Sequence, residues 1–267
     1  MNTELNILIL AAGLGTRMKS DLAKVLHRLD GRPLINHVYR TALTLGPQKI
    51  YTVVGHQGDD VKSAVLDELD DSIAGFAWQT QMLGTGDAVN SARELLADTD
   101  STLLVLSGDV PMITQTTLEA LVRLHNDHHG RRAACTVLSV KLPDPTGYGR
   151  VIRDELGTFD RIVEQKDAGT EELAVNEINS GIYCFDTRKL FAALSKVGNT
   201  NAQGEYYLTD VPQILCAAGE DIAIYLHDDP SEIEGVNDRR QLAAMEKTLR
   251  RRTVERLMLE SGVTFID

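Results

Sequence analysis

Short apolar runs alternate along this chain with segments whose apolar residues recur every three or four positions. Asn6-Ile7-Leu8-Ile9-Leu10 is an apolar, β-branched run that reads as a buried strand. Pro33 to Leu45 places Leu34, Ile35, Val38, Ala42 and Leu45 at helical spacing, and Gly46-Pro47 ends it. Lys49 to Val54 predicts a strand stopping at Gly55-His56, Asp59 to Leu69 a helix, and Ile73 to Trp78 a third strand. A turn-rich stretch, Gln79 to Gly86, leads into a predicted helix over Asp87 to Ala97. Thr102 to Leu106 is a further buried strand that ends at Ser107-Gly108-Asp109, and Thr116 to His125 is helical in pattern. This βαβα order predicts an α/β, doubly wound, Rossmann-like fold whose mainly parallel sheet binds ligands at the carboxyl ends of its strands.

From about residue 131 the texture changes. Ala133 to Val140 predicts a strand, and Asp144 to Gly149 a loop. Arg150 to Arg153 and Phe159 to Val163 flank the turn residues Asp154 and Gly157, so this part is expected to be antiparallel. Ile178 to Phe185 and Ile222 to Leu226 are further strands. The reading is therefore one unit, 1–237, with a first half (1–130) and a partly antiparallel second half (131–237) sharing one mixed sheet. Residues 238–267 follow as a helical linker, in which Leu242, Met245, Leu249, Val254, Leu257 and Met258 predict a packed amphipathic helix over Asp238 to Glu260.

Composition narrows the class. At 267 residues, 43% hydrophobic and 25% charged, the chain can bury a large core without staples, and disorder is excluded as a general description. A net charge of −12 argues against a non-specific nucleic-acid binder, so any pocket for anions must concentrate its few cations. Cys135, Cys184 and Cys216 lie in apolar runs without C-x-x-C spacing and read as core thiols suited to a reducing compartment. Met1-Asn2-Thr3-Glu4 lacks a basic leader, and no run approaches the ~18 apolar residues of a membrane span. A cytoplasmic protein with no membrane partner is expected.

The candidate chemistry begins where the first strand ends. Leu10-Ala11-Ala12-Gly13-Leu14-Gly15-Thr16-Arg17-Met18 is a loop of small residues whose N–H groups can cradle phosphate oxygens, with Arg17 and Lys24 supplying charge beside it. A dinucleotide fingerprint fails because Met18 stands where its third glycine belongs, and a Walker A loop fails because no Gly-Lys-[Ser/Thr] follows at the right distance. Asp109, at the end of another buried strand, is delivered to the same sheet edge, where a carboxylate beside phosphates is a usual Mg²⁺ ligand. His56 lacks a nucleophile motif and is not assigned a catalytic role. His125, His128 and His129 read as surface residues at a helix end, and Asp160 and Glu164 as hairpin carboxylates without a pocket signature of their own.

Leu-Ala-Ala-Gly-x-Gly-Thr-Arg-Met with Lys24 downstream resembles the signature of the sugar-1-phosphate nucleotidyltransferases. The likeness extends through Lys-Val-Leu-His (24–27), Gln-Met-Leu-Gly-Thr-Gly (81–86), Gly-Asp-Val-Pro (108–111) and Asp-Pro-Thr-Gly-Tyr-Gly-Arg (144–150). It continues through Ile-Val-Glu-Gln-Lys-Asp-Ala (162–168), Asn-Ala-Gln-Gly-Glu-Tyr-Tyr-Leu-Thr-Asp (201–210) and Glu-Gly-Val-Asn (234–237). Together these resemble the N-acetylglucosamine-1-phosphate uridylyltransferase (pyrophosphorylase) domains found at the N-terminal end of bacterial bifunctional enzymes.

The resemblance implies the nucleotide-diphospho-sugar transferase fold, with a nucleotide half followed by a sugar-side half. It implies a nucleotide held by Leu10, Ala11, Ala12, Gly13, Gln79, Gly84 and Thr85, and a sugar phosphate on Gly149, Glu164, Asn179, Glu205, Tyr207 and Thr209. Asp109 and Asn237 would hold Mg²⁺, and Arg17 and Lys24 would face the phosphates as catalytic cations. The implied partners are UTP and N-acetylglucosamine 1-phosphate, with uridylyl transfer releasing pyrophosphate for cell-envelope precursor synthesis. Two rivals stand beside this: transfer with another sugar phosphate or nucleotide, and a nucleotide-sugar sensing module without turnover. Ser107 stands where the family often has an aromatic or other residue before Gly-Asp. Ala23 replaces a common proline, a loss of ~0.4–1 kcal/mol of loop preorganisation. The family's hexapeptide-repeat acetyltransferase β-helix is absent from this sequence. The oligomeric state is left open, with a trimer expected only alongside such a domain.

Overall fold

In the computed structural model, which describes residues 4–266, the first apolar run forms β1 (Glu4–Leu10). Met1 to Thr3, read above for the lack of a basic leader, and Asp267 lie outside the described residues. A short hairpin, β2 (Arg28–Leu29) and β3 (Arg32–Pro33), precedes α1 (Leu34–Leu43), β4 (Lys49–Val54), α2 (Gly58–Leu66) and β5 (Ala74–Trp78). Then come α3 (Thr85–Asn90), α4 (Arg93–Leu96), β6 (Ser101–Ser107), α5 (Gln115–Asn126), β7 (Cys135–Lys141), β8 (Arg150–Arg153) and β9 (Phe159–Val163). The chain closes with α6 (Thr170–Leu173), β10 (Glu177–Asp186), α7 (Thr187–Leu194), α8 (Asp210–Ala217), β11 (Ile222–His227) and α9 (Arg239–Ser261).

The described residues build a nine-stranded sheet with the main order β11-β7-β10-β6-β1-β4-β5. β6, β1, β4 and β5 are mutually parallel, as βαβ crossovers require. β10 runs antiparallel to both β6 and β7 and so joins the second half to the first in one sheet. β8 and β9 form the expected antiparallel pair, attached through β10. β1 lies between β4 and β6 and is covered on both faces. Ile7 and Ile9 enter one core cluster and Leu8 the other, which is why this strand reads as a continuous apolar run rather than an alternating one.

Four expectations change. The helix foreseen over Asp87 to Ala97 is two short helices, because the ladder tightens at Ala92, whose N–H reaches Val89 O at 3.1 Å, while Ser91 Oγ donates to Ala88 O at 2.7 Å. His125 is not a surface residue: it is fully buried, with Nδ1 3.1 Å from Thr136 Oγ1, and burial pushes its pKa down to about 3. Cys135 and Cys184 are core thiols, whereas Cys216 is only partly buried. The helix α9 packs Leu242, Met245 and Leu249 against Met18, Leu29, Leu34, Met112 and Val236, but beyond this the helix leaves Met258 and Leu259 exposed. Among the described residues no helix is long and apolar enough to cross a membrane.

Candidate functional site

Parallel register brings separate loops to one sheet edge. Leu10 pairs with Val53 on one side and Ser107 on the other, so the loops after β1 and β6 leave side by side. Backbone hydrogen bonds then fix their starts: Ala11 N–H donates to Val53 O at 2.9 Å, Gly108 N–H to Leu10 O at 2.9 Å, and Gln79 N–H to Val54 O at 2.8 Å. Gly15 turns the first loop at φ 59°, and a Cβ there would stand 2.6 Å from Lys24 Cβ. Only glycine lets the loop close over the lysine stem. Ala23, directly before Lys24, has φ −52°, within the range a proline would impose.

Residues from three distant stretches of the chain meet at this loop. Lys24 Nζ lies 2.5 Å from Asp109 Oδ2 and 3.2 Å from Asn237 Oδ1, and Arg17 Nη2 donates to the same Asn237 oxygen at 2.9 Å. The segment before α9 is fastened to them: Val236 N–H donates to Asp109 O at 2.9 Å, Asn237 N–H to Gln241 Oε1 at 2.8 Å, and Arg239 Nε to Met18 O at 3.2 Å. Nothing in the local sequence around Asn237 announces this placement. A carboxylate and an amide oxygen thus converge on one positive charge, the Lys24 ammonium. Two hard oxygen donors around a point that already holds a cation fit Mg²⁺, which takes one or two such ligands and completes its shell with phosphate and water. Among the described residues no larger His, Cys, Asp or Glu cluster competes for it.

Above these groups lies a cavity of about 350 Å³, a size suited to a small ligand. Leu10, Ala11, Ala12 and Gly13 form one wall, Gln79, Gly84 and Thr85 another, and Lys24, Ser107 and Asp109 also line it. All seven residues assigned to the nucleotide from sequence therefore border one space. The second wall is tied to the second half of the chain. Tyr206 N–H donates to Leu83 O at 2.7 Å, Gly86 N–H to Tyr206 O at 2.8 Å, and Leu208 N–H to Thr85 Oγ1 at 3.0 Å. Gly84 sits inside this zipper at φ 114°, where a Cβ would stand 2.6 Å from Tyr206 O. A side chain at 84 is excluded by conformation and by space alike.

The residues assigned to the sugar phosphate divide. Gly149, Glu164, Asn179 and Thr209 meet: Asn179 N–H donates to Gly149 O at 2.9 Å, and Thr209 Oγ1 donates to Glu164 Oε1 at 3.1 Å. A Cβ on Gly149 would lie 3.5 Å from the same Glu164 oxygen. Glu164, Tyr207 and Thr209 line a second cavity of about 320 Å³, so Glu164 has the pocket its sequence context did not suggest. Glu205 is set apart from them and lines the first cavity. The stretch 205–209 therefore runs from one cavity to the other. Asn179 already donates its amide to Tyr183 OH at 2.7 Å, and Tyr207 OH lies 3.3 Å from Asp167 Oδ2.

Burial raises the carboxyl pKa of both Glu164 and Asp210, which line this second cavity, above the ordinary carboxylate value. At Glu164 burial is joined by the charges of Asp167, Asp210 and Glu205, and the Thr209 hydrogen bond opposes the rise. The folded chain thus keeps the Glu164 proton to a higher pH than the unfolded chain, and stability falls as pH rises through Glu164's own pKa. Glu164→Gln keeps an oxygen for Thr209 and removes the buried charge. It is expected to raise Tm at neutral pH and leave it nearly unchanged in mild acid. Thermal unfolding of both proteins across that range checks this; a lower Tm for the variant at neutral pH would contradict it.

Sequence reasoning passed over three residues here. Asp87 lies in the first turn of α3 with no motif of its own, yet it accepts a hydrogen bond from the Gln79 amide at 2.8 Å. Met82 lines the first cavity. Tyr148 is half-buried, and burial with the nearby Glu234 and Asp109 charges raises its pKa. The last two lay inside recognisable motifs, Met82 in Gln-Met-Leu-Gly-Thr-Gly and Tyr148 in Thr-Gly-Tyr-Gly, while Asp87 lay just past one.

Comparison with known proteins bears on the whole chain. The nucleotidyl transferase family profile matches residues 6–230. The chain is 50% identical over 261 residues to the bifunctional protein GlmU of Lactobacillus gasseri, covering 98% of this chain and 55% of that protein. It is 49% identical over 262 residues to GlmU of Limosilactobacillus fermentum (98% and 56%), and 47% over 265 residues to GlmU of Brevibacillus brevis (99% and 56%). The chain thus spans roughly half the length of the curated relatives it matches. A solved UDP-glucose pyrophosphorylase complexed with UDP-glucose aligns with TM-score 0.72 at 17% identity, covering 93% of this chain and 99% of that one. At that identity the likeness is one of fold.

Proposed function

Because the chain belongs to the nucleotidyl transferase family, we propose that it transfers uridylyl from UTP to N-acetylglucosamine 1-phosphate, giving UDP-N-acetylglucosamine and pyrophosphate. The observation that carries this reading is the cavity where the small-residue loop 10–13, Gln79 and Gly84, and the Lys24–Asp109 pair share one surface. In the reaction an oxygen of the sugar phosphate forms a bond to the α-phosphorus of UTP, and the bond from that phosphorus to the bridging oxygen breaks as pyrophosphate leaves. The nucleophile is already an anion, so no general base is needed; the work is positioning and charge neutralisation. Leu10, Ala11, Ala12 and Gly13 bring backbone close to the nucleotide, and Arg17 and Lys24 meet the phosphates. Asp109 and Asn237 would hold Mg²⁺, which when bound supplies Lewis acidity and a template for the phosphates.

On the sugar side, Gly149, Glu164, Asn179, Tyr207 and Thr209 take the sugar phosphate, and Glu205 reaches it from the nucleotide cavity. Residues 1–237 act as the catalytic unit, in the halves 1–130 and 131–237, and 238–267 as a helical linker. The proposal includes the cytoplasm as its location and a cell-envelope precursor as the destination of the product.

Pyrophosphate release measured across UTP, CTP, ATP and GTP with several sugar 1-phosphates and Mg²⁺ tests the reading. N-acetylglucosamine 1-phosphate is expected to exceed glucose 1-phosphate in kcat/KM by about 10-fold to 100-fold, because a pocket that pairs the acetamido group leaves its own polar atoms unsatisfied around plain glucose. Equal rates for the two sugars, or a preferred purine nucleotide, would move the chain to another member activity of the family.

A further inference from the structure

Gln79 has an amide with one donor end and one acceptor end, and its neighbours decide which way it points. Nε2 lies 2.8 Å from Asp87 Oδ2 and 3.2 Å from the Gly84 carbonyl. A carboxylate and a carbonyl only accept hydrogen bonds, so the NH₂ end must face both. Turning the amide over would set Oε1 against the carboxylate, two acceptors with no hydrogen between them. In the orientation observed, no donor among the described residues engages Oε1, and Gln79 borders the nucleotide cavity. Asp87 does not line that cavity; it borders a separate one behind the loop, with Leu83 and Tyr206. Whatever Asp87 does for the nucleotide, it does through Gln79.

We infer that Asp87 is a positioning residue that makes the site select uracil over cytosine, by locking Gln79 as a fixed hydrogen-bond acceptor. This rests on the uridylyl reading above. Uracil offers an N3–H donor beside a C4 carbonyl, which matches an acceptor at Gln79 Oε1 next to a donor at the Gly84 N–H. Cytosine in the same pose turns an N3 lone pair toward Oε1 and an N4 amino group toward the Gly84 N–H, a mismatch at both points. A Gln79 free to rotate would offer its NH₂ to cytosine N3 and remove half of that mismatch. The Asp87 carboxylate forbids the rotation, whereas an asparagine there could pair with either end of the amide.

The test compares kcat/KM for UTP and CTP, with N-acetylglucosamine 1-phosphate, in the unaltered protein, Asp87→Asn and Asp87→Ala. Equilibrium binding of each nucleotide, by calorimetry without the sugar, is measured alongside. The UTP-to-CTP ratio is expected to fall about 10-fold or more in both variants, since a site that hydrogen-bonds one group rejects its mismatch by at least that factor. The change should sit in KM and in nucleotide affinity rather than in kcat. If both nucleotides lose activity equally and the ratio stays where it was, Asp87 serves structure alone and the inference is overturned. If the unaltered protein does not prefer UTP over CTP, the uridylyl reading itself falls and takes this inference with it. The unaltered arm therefore tells the two failures apart. A variant too unstable to assay is covered by the other, because Asp87 is only partly buried and both changes are small in volume.

Discussion

Asp109→Ala is expected to lower kcat by roughly 10²–10³ or more, the scale associated with removing one preorganised contact to charge that develops at the reacting phosphates. The carboxylate is fixed from two directions. Gly108 N–H donates to Leu10 O just before it, and Val236 N–H donates to Asp109's own carbonyl. Its Oδ2 faces Lys24 Nζ at 2.5 Å, and the Gly235 backbone leaves room for it, since a Cβ at 235 would come within 3.3 Å of that oxygen. Alanine at 109 removes the carboxylate that faces Lys24 and leaves Lys24 the Asn237 oxygen, 3.2 Å away. The loss should be accompanied by a much higher Mg²⁺ requirement, read by titrating the metal against turnover. Undiminished activity in the variant, or in excess chelator, would remove both Asp109 and the metal from the proposal.

The second large effect is expected at the two cations. Lys24→Ala and Arg17→Ala should each reduce kcat by about 10²–10³ with little change in KM for the sugar phosphate, because charge grows on the phosphates as the leaving bond breaks. Their present partners support this division of labour. Arg17 is tied to Asn237, on the same oxygen that Lys24 reaches, so neither cation is locked in a deeply buried pair and both can turn to an incoming polyanion. Lys24 is the more deeply set, its stem under Gly15 and its ammonium beside Asp109, and its loss should be the larger of the two. Steady-state kinetics with both substrates varied decide the matter. A raised KM at constant kcat would assign these residues to ground-state binding instead.

How much of this was legible before folding depends on whether the information was local. The strand of β1, the small-residue loop after it and the strand ending in Asp109 announce themselves, because burial on two faces demands a continuous apolar run and close backbone approach demands small residues. The alternation of strand and helix to residue 126, and the antiparallel β8 and β9, follow from the same periodicities. The family could be recognised from motif order alone, which is information about spacing along the chain.

Other features are settled only by tertiary structure. His125 looked like one of three histidines at a helix end, yet it packs against β7 with its ring on Thr136, since solvent exposure is a property of what lies opposite rather than of the local pattern. Asn237 meets Arg17 across 220 positions of sequence and Lys24 across 213, a contact that no local spacing encodes. Glu205 and Tyr207, two residues apart, face different cavities because the chain between them is zipped to the Leu83–Gly86 loop. Half of α9 is packed and half exposed, although its apolar residues continue, because the core cluster against which it lies ends near Leu249. Sequence by itself determined the family to which this chain belongs; long-range pairing decided which side chains share a cavity, because hydrogen bonds and close packing act over a few ångströms whatever the separation along the chain.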